Sequence, residues 1–109
     1  MPGLPLQLFG TLGTAGADTT GTLVAGGVGT SLYINDVTIV VSAGTVDSSI
    51  EWGTALQGTG ILARGNFVPG GGVQRTFDAL NPPSANNTSL TYRLGGAGTV
   101  FFSVSYWVG

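Results

Sequence analysis

From Gly21 onward, short runs with a two-residue apolar period alternate with clusters of turn-forming residues, and no 3.6-residue apolar period persists for three helical turns. That pattern confines the chain to β-structure. Val46, Ser48, Ile50 and Trp52 share one parity of their run, while Thr45, Asp47, Ser49 and Glu51 share the other. Leu90, Tyr92 and Leu94 alternate with Ser89, Thr91 and Arg93 in the same way. The closing run sets Val100, Phe102, Val104, Tyr106 and Val108 on one face, and Thr99, Phe101, Ser103, Ser105 and Trp107 on the other. GILARGNFV and VQRTFDAL supply two more strands, joined by Pro69-Gly70-Gly71-Gly72. No helix pattern follows those glycines, so they mark a turn and not a phosphate loop. About seven to eight antiparallel strands, with turn signals roughly every 8–12 residues, predict a single small all-β sandwich or jelly roll.

Two segments depart from simple alternation. In SLYINDVTIVVS, Leu32 and Ile34 share one parity but Val37, Ile39 and Val41 share the other. The phase flips at Asn35-Asp36, which predicts a β-bulge there, because one extra residue resets which face is buried. The closing VFFSVSYWV is uncharged, β-prone and free of proline. Left on a sheet edge it is an aggregation hazard, so it is expected in a central position or under another subunit. Residues 1–21 differ from the rest. Pro2 and Pro5 disfavour helix, Leu4, Leu6 and Leu8 alternate, and a Gly/Thr/Ala stretch runs to Gly21. The segment reads either as an extended N-terminal arm with a tether, preceding a domain at 22–109, or as a first strand of that domain.

Composition narrows the function. The 109 residues contain no Cys, His or Lys, and three Arg against five acidic residues give a net charge of −2. A thiol nucleophile, a disulfide, a Ser-His-Asp triad, a histidine metal site and a lysine Schiff base are all excluded. Leu, Ile, Val and Phe are plentiful enough, against 20 glycines and 5 prolines, for a folded core. Charged residues make up only 7% of the chain, leaving a surface poorly protected against association. Arg64, Arg75 and Arg93 are scattered rather than clustered, so no nucleic-acid interface is expected. No apolar run approaches the ~18 residues of a membrane-spanning helix, so no membrane partner is expected. MPGLPLQLFG lacks the positive start of a secretory signal.

The remaining constellations are weak. Asp47 and Glu51 share a strand face but lie about 13 Å apart along the backbone, and they read as solvated outward residues. The carboxylates are too dispersed for a calcium site, and no cofactor is expected. Trp52 reads as core. Phe101 and Trp107 read as a sugar platform, a subunit interface or core of a strand buried on both faces.

The phrases GTLVAGGVGTSLYINDVTIVVSAGTVDSSIEWGTALQGTG, ILARGNFVPGGGVQRTF and SLTYRLGGAGTVFFSVSYWVG, spanning residues 22–109, resemble the small jelly-roll virion proteins of tailed bacteriophages. Members of this kind are head decoration (cement) proteins, head fibres or tail-associated proteins. The resemblance implies a non-enzymatic, TNF-like or related sandwich, often trimeric, made in the host cytoplasm and placed on the outer capsid surface of the virion. The implied partners are the major capsid protein and further copies of the chain. Residues 1–21 lie outside the matching region. On this reading Leu4, Leu6, Leu8 and Phe9 are expected to contact the capsid, and Tyr33, Phe101 and Trp107 to line the homotrimer interface. The alternative is a tail- or head-fibre module that binds a host-surface glycan through Trp107 and the polar loop at Asn81–Asn87.

Overall fold

The computed structural model describes residues 6–14, 19–53, 60–78 and 80–109. Nine strands run through them: β1 (Leu6–Thr14), β2 (Thr19–Val24), β3 (Ser31–Ala43), β4 (Val46–Trp52), β5 (Ile61–Phe67), β6 (Gly72–Thr76), β7 (Ser84–Asn86), β8 (Leu90–Gly95) and β9 (Gly98–Val108). The pairings are nested. β1 pairs with β9, β2 with β8, β3 with β6, and β4 with β5, all antiparallel. This is one long hairpin rolled over itself, and β3–β9 and β4–β8 pairing closes the roll. One sheet has the order β1-β9-β3-β6, with β7 also on β3; the other has the order β2-β8-β4-β5. Interleaving of this kind is the jelly-roll arrangement of a two-sheet sandwich.

The inner faces form the core. Leu32, Ile34, Val37, Ile39 and Val41 of β3 are buried, as are Val100, Phe102 and Val104 of β9. Val46 and Ile50 of β4, with Leu90 and Leu94 of β8, meet them from the opposite sheet. The rings of Tyr92 and Phe102 bridge the two layers with centroids 5.2 Å apart. Trp52 packs partly buried against this cluster.

The phase flip in β3 is a bulge at the expected place. Ile34 faces Tyr106 and Asp36 faces Ser105, so Asn35 is the extra residue. Its carbonyl accepts from the Phe77 amide (2.9 Å), while the Ile34 amide donates to the Pro83 carbonyl (2.9 Å). β6 and β7 therefore lie along the same edge of β3, one on either side of the bulge. β9 is flanked by β1 and β3, so the uncharged closing run is central, as its composition requires.

Two connections differ from a simple hairpin reading. Pro69–Gly72 turns the chain from β5 in one sheet to β6 in the other, so these neighbours in sequence are not ladder partners. Gly70 adopts φ +88°, which suits glycine, and its amide donates to the Val41 carbonyl (2.8 Å). The β3–β4 connection likewise crosses between sheets, through Gly44 at φ +77°. On the β5/β6 side, Arg75 Nη1 donates to the Leu62 carbonyl (2.7 Å) and ties the sheet edges together.

The N-terminal segment corrects the arm-and-domain division. Its boundary at residue 21 falls inside β2, and Leu6–Thr14 pairs with Gly98 to Tyr106 of β9. The first-strand alternative holds for these residues, because a period-2 apolar run beside an exposed β9 edge gains a full ladder of hydrogen bonds. Leu4 lies outside the described residues. Truncating residues 1–10 is accordingly expected to lower the thermal midpoint and promote aggregation by uncovering β9, measured by calorimetry and light scattering. Phe102→Ala, at a site 1% exposed, should cost about 3–5 kcal/mol in denaturant unfolding.

Candidate functional site

The outer faces of the two sheets differ in chemistry. On the β2-β8-β4-β5 sheet, Ser49 of β4 lies opposite both Arg64 of β5 and Arg93 of β8. Asp47 and Glu51 stand two residues to either side of it on the same face. Asp47 Oδ2 pairs with Arg64 Nη2 (3.3 Å) and Arg93 Nη1 (3.2 Å). Ser49 Oγ donates to Glu51 Oε2 (2.7 Å). Thr91, opposite Glu51, donates from Oγ1 to the Glu51 carbonyl (3.0 Å) and also lies against the Gly53 carbonyl.

Asp47 and Arg64 stay partly exposed, but Ser49, Glu51 and Arg93 are not the solvated outward residues that alternation predicts. Ser49 is fully buried, Glu51 is 2% exposed and Arg93 6%. The buried Arg93 pairs with Asp47 and the buried Glu51 accepts from Ser49, so burial of these polar groups is tolerable. Burial pushes the Asp47 carboxyl up, but hydrogen bonds and charge from Arg64 and Arg93 outweigh it and hold the group below its ordinary value. A carboxylate held ionised in this way is a poor proton donor near neutral pH, so the cross of charges reads as a structural clamp over three strands. The residues that build it were each visible in the sequence. Their convergence was not, because it depends on the registers of β4–β5 and β4–β8 together.

The outer face of the β1-β9-β3-β6 sheet is nearly neutral. Its rows pair Val40 with Phe101, Thr38 with Ser103, Asp36 with Ser105, and Tyr33 with Trp107. Asp36 is the one charge among the described side chains of these rows, and its Oδ2 accepts from Gln74 Nε2 (2.6 Å) and Thr76 Oγ1 (2.9 Å) on β6. Val40 is 40% exposed and Phe101 half-buried.

All three residues expected at a subunit interface therefore share this face. Tyr33 and Trp107 stack, with centroids 6.1 Å apart and planes 12° from parallel. Trp107 is only 4% exposed. It supports the Tyr33 ring and presents almost no surface of its own, so it does not form a sugar platform. Phe101 lies six residues along β9, about 20 Å away. Leu6, Leu8 and Phe9 hold register positions opposite Tyr106, Val104 and Ser103.

The loop that follows β7 is polar and well tied. Asn87, at φ 55°, accepts at Oδ1 from the Gly29 amide (2.7 Å) and donates its own amide to the Thr30 carbonyl (2.8 Å). Ser31 Oγ donates to Asn86 Oδ1. Val28, at 99% exposure, and Leu80, at 93%, are the large apolar side chains that stand free near these segments.

Because the folded-state acidity of Asp47 is raised, the stability it contributes is complete above the unfolded carboxylate pKa, about 3.9, and is lost as pH falls through the lower folded value. Asp47→Asn should flatten that acid limb in pH-dependent urea unfolding and cost roughly 1–3 kcal/mol at pH 7, by removing the negative charge that pairs with Arg64 and the buried Arg93. No family model matches the chain, and no curated protein matches it.

Proposed function

We propose that this chain is a non-enzymatic structural virion protein, a decoration (cement) protein that binds the outer surface of a phage head as a homotrimer and stabilises the shell. The observation that carries the reading is the neutral outer face of the β1-β9-β3-β6 sheet. A face with Val40 and Phe101 partly exposed, and its one carboxylate already bonded to Gln74 and Thr76, loses little when water is removed from it. The charge-poor composition and the jelly-roll order support the same reading, as does the resemblance of residues 22–109 to small virion jelly rolls. A protein of this kind works by burying surface, and three linked copies gain from effective concentration on a repetitive shell.

Within this proposal Phe101 and Tyr33 make the trimer contacts, and Trp107 acts behind Tyr33. The β1 residues Leu6, Leu8 and Phe9 are part of the sandwich ladder and not of a free arm, so the shell contact is assigned to the free side chains of Val28 and Leu80. The glycan alternative has lost its aromatic platform, since Trp107 is closed off within a single chain.

Light scattering after size exclusion tests the assembly. The expected result is a mass of three copies, or a multiple of three. Phe101→Asp should lower that mass threefold with an unchanged circular dichroism spectrum. A wild-type chain that stays monomeric at every concentration contradicts the trimer. Failure of the chain to co-sediment with phage heads stripped of decoration contradicts the placement.

A further inference from the structure

Among the described residues, five strands form the sheet edges: β1 on one side of the first sheet with β6 and β7 on the other, and β2 and β5 in the second sheet. β7 is only three residues long, and β6, β5 and β2 carry devices that discourage further pairing. β6 is five residues long and carries Arg75, which reaches across to Leu62. β5 carries Arg64 and meets β4 across a register shift at Ile50/Glu51. β2 is six residues long and shifts register between Thr22 and Val24.

β1 carries none of these. Its nine residues, LQLFGTLGT, contain no charge and no proline, and its register with β9 runs from Leu6↔Tyr106 to Thr14↔Gly98 without a shift. Among the described residues β9 is its one hydrogen-bonded strand neighbour, so alternate amides and carbonyls along β1 face no described strand on the other side. A backbone row of this kind takes a β-strand.

We propose that the occupant is β1 of a second copy, paired antiparallel about a two-fold axis so that the sheet continues from one molecule into the next. Self-pairing suits this strand in particular. An uncharged strand opposes no like charges when it meets itself, and an antiparallel pair of identical edges closes as an isologous contact. The proposal does not rest on the virion reading. The β1 contact doubles the number of copies, whereas a contact through the Phe101 face triples it.

The absence of native cysteine makes a direct test clean. Single cysteines are placed at each position from residue 7 to residue 13 and oxidised at low protein concentration. Disulfide-linked dimers should form at one or two adjacent positions near the axis. They should fall away two residues to either side, where the identical Cα atoms are more than 7 Å apart. No crosslink at any position, or equal yield at all of them, overturns the proposal. As a second measurement, the Gln7→Lys/Thr11→Lys double variant should show half the wild-type mass by light scattering, with its circular dichroism retained. A mass unchanged from wild type overturns the proposal, whatever the state of the Phe101 contact. A threefold loss assigns the affected contact to the Phe101 face and likewise overturns it.

Discussion

The rest of the sandwich is organised by the ladder between β3 and β9. These are the longest strands, 13 and 11 residues, and they lie side by side in the middle of one sheet. β9 combines high β-propensity with no charge, so it is stable only if both of its edges are taken. β3 covers one edge and β1 the other. The inner residues of the two strands then present a continuous apolar surface, onto which β4 and β8 close. Asn35 lets β3 serve this role along its whole length. Without the bulge, Leu32 and Ile34 could not face the core on the same side as Val37, Ile39 and Val41.

That dependence explains what could be read from the chain. Alternation alone assigned the inner faces of β4, β8 and β9, because a strand has only two faces and one of them must be apolar. The phase flip located the bulge, since a change of parity inside one apolar run has few other causes. The same logic made Leu4, Leu6 and Leu8 compatible with a strand, but composition could not decide whether β9 or an outside partner would receive it.

Other features escaped because they belong to no single strand. Nested pairing places Pro69–Gly72 between sheets, although a glycine-rich turn between two β-runs has the same local chemistry in a hairpin. Asp47 and Glu51 looked like outward residues, and on β4 they do face away from the core. Glu51 is buried and Asp47 is paired because neighbouring side chains converge on β4 from β5 and β8, and that meeting needs two registers at once. Trp107 likewise has outward parity, yet Tyr33 stacks on it from β3. Outward parity in a small sandwich therefore does not mean exposure. One outer face is stabilised by balanced charge, the other is nearly uncharged, and it is the second that suits burial against another molecule.

Native-state amide hydrogen exchange, read residue by residue, tests the account most directly. If the β3–β9 ladder holds the sandwich together, the slowest amides belong to the middle of β9 and to residues 37–41 of β3, and they exchange only with global unfolding. Amides of the three-residue β7 exchange much faster. Should β9 exchange as rapidly as β7, its central, doubly paired position would be contradicted.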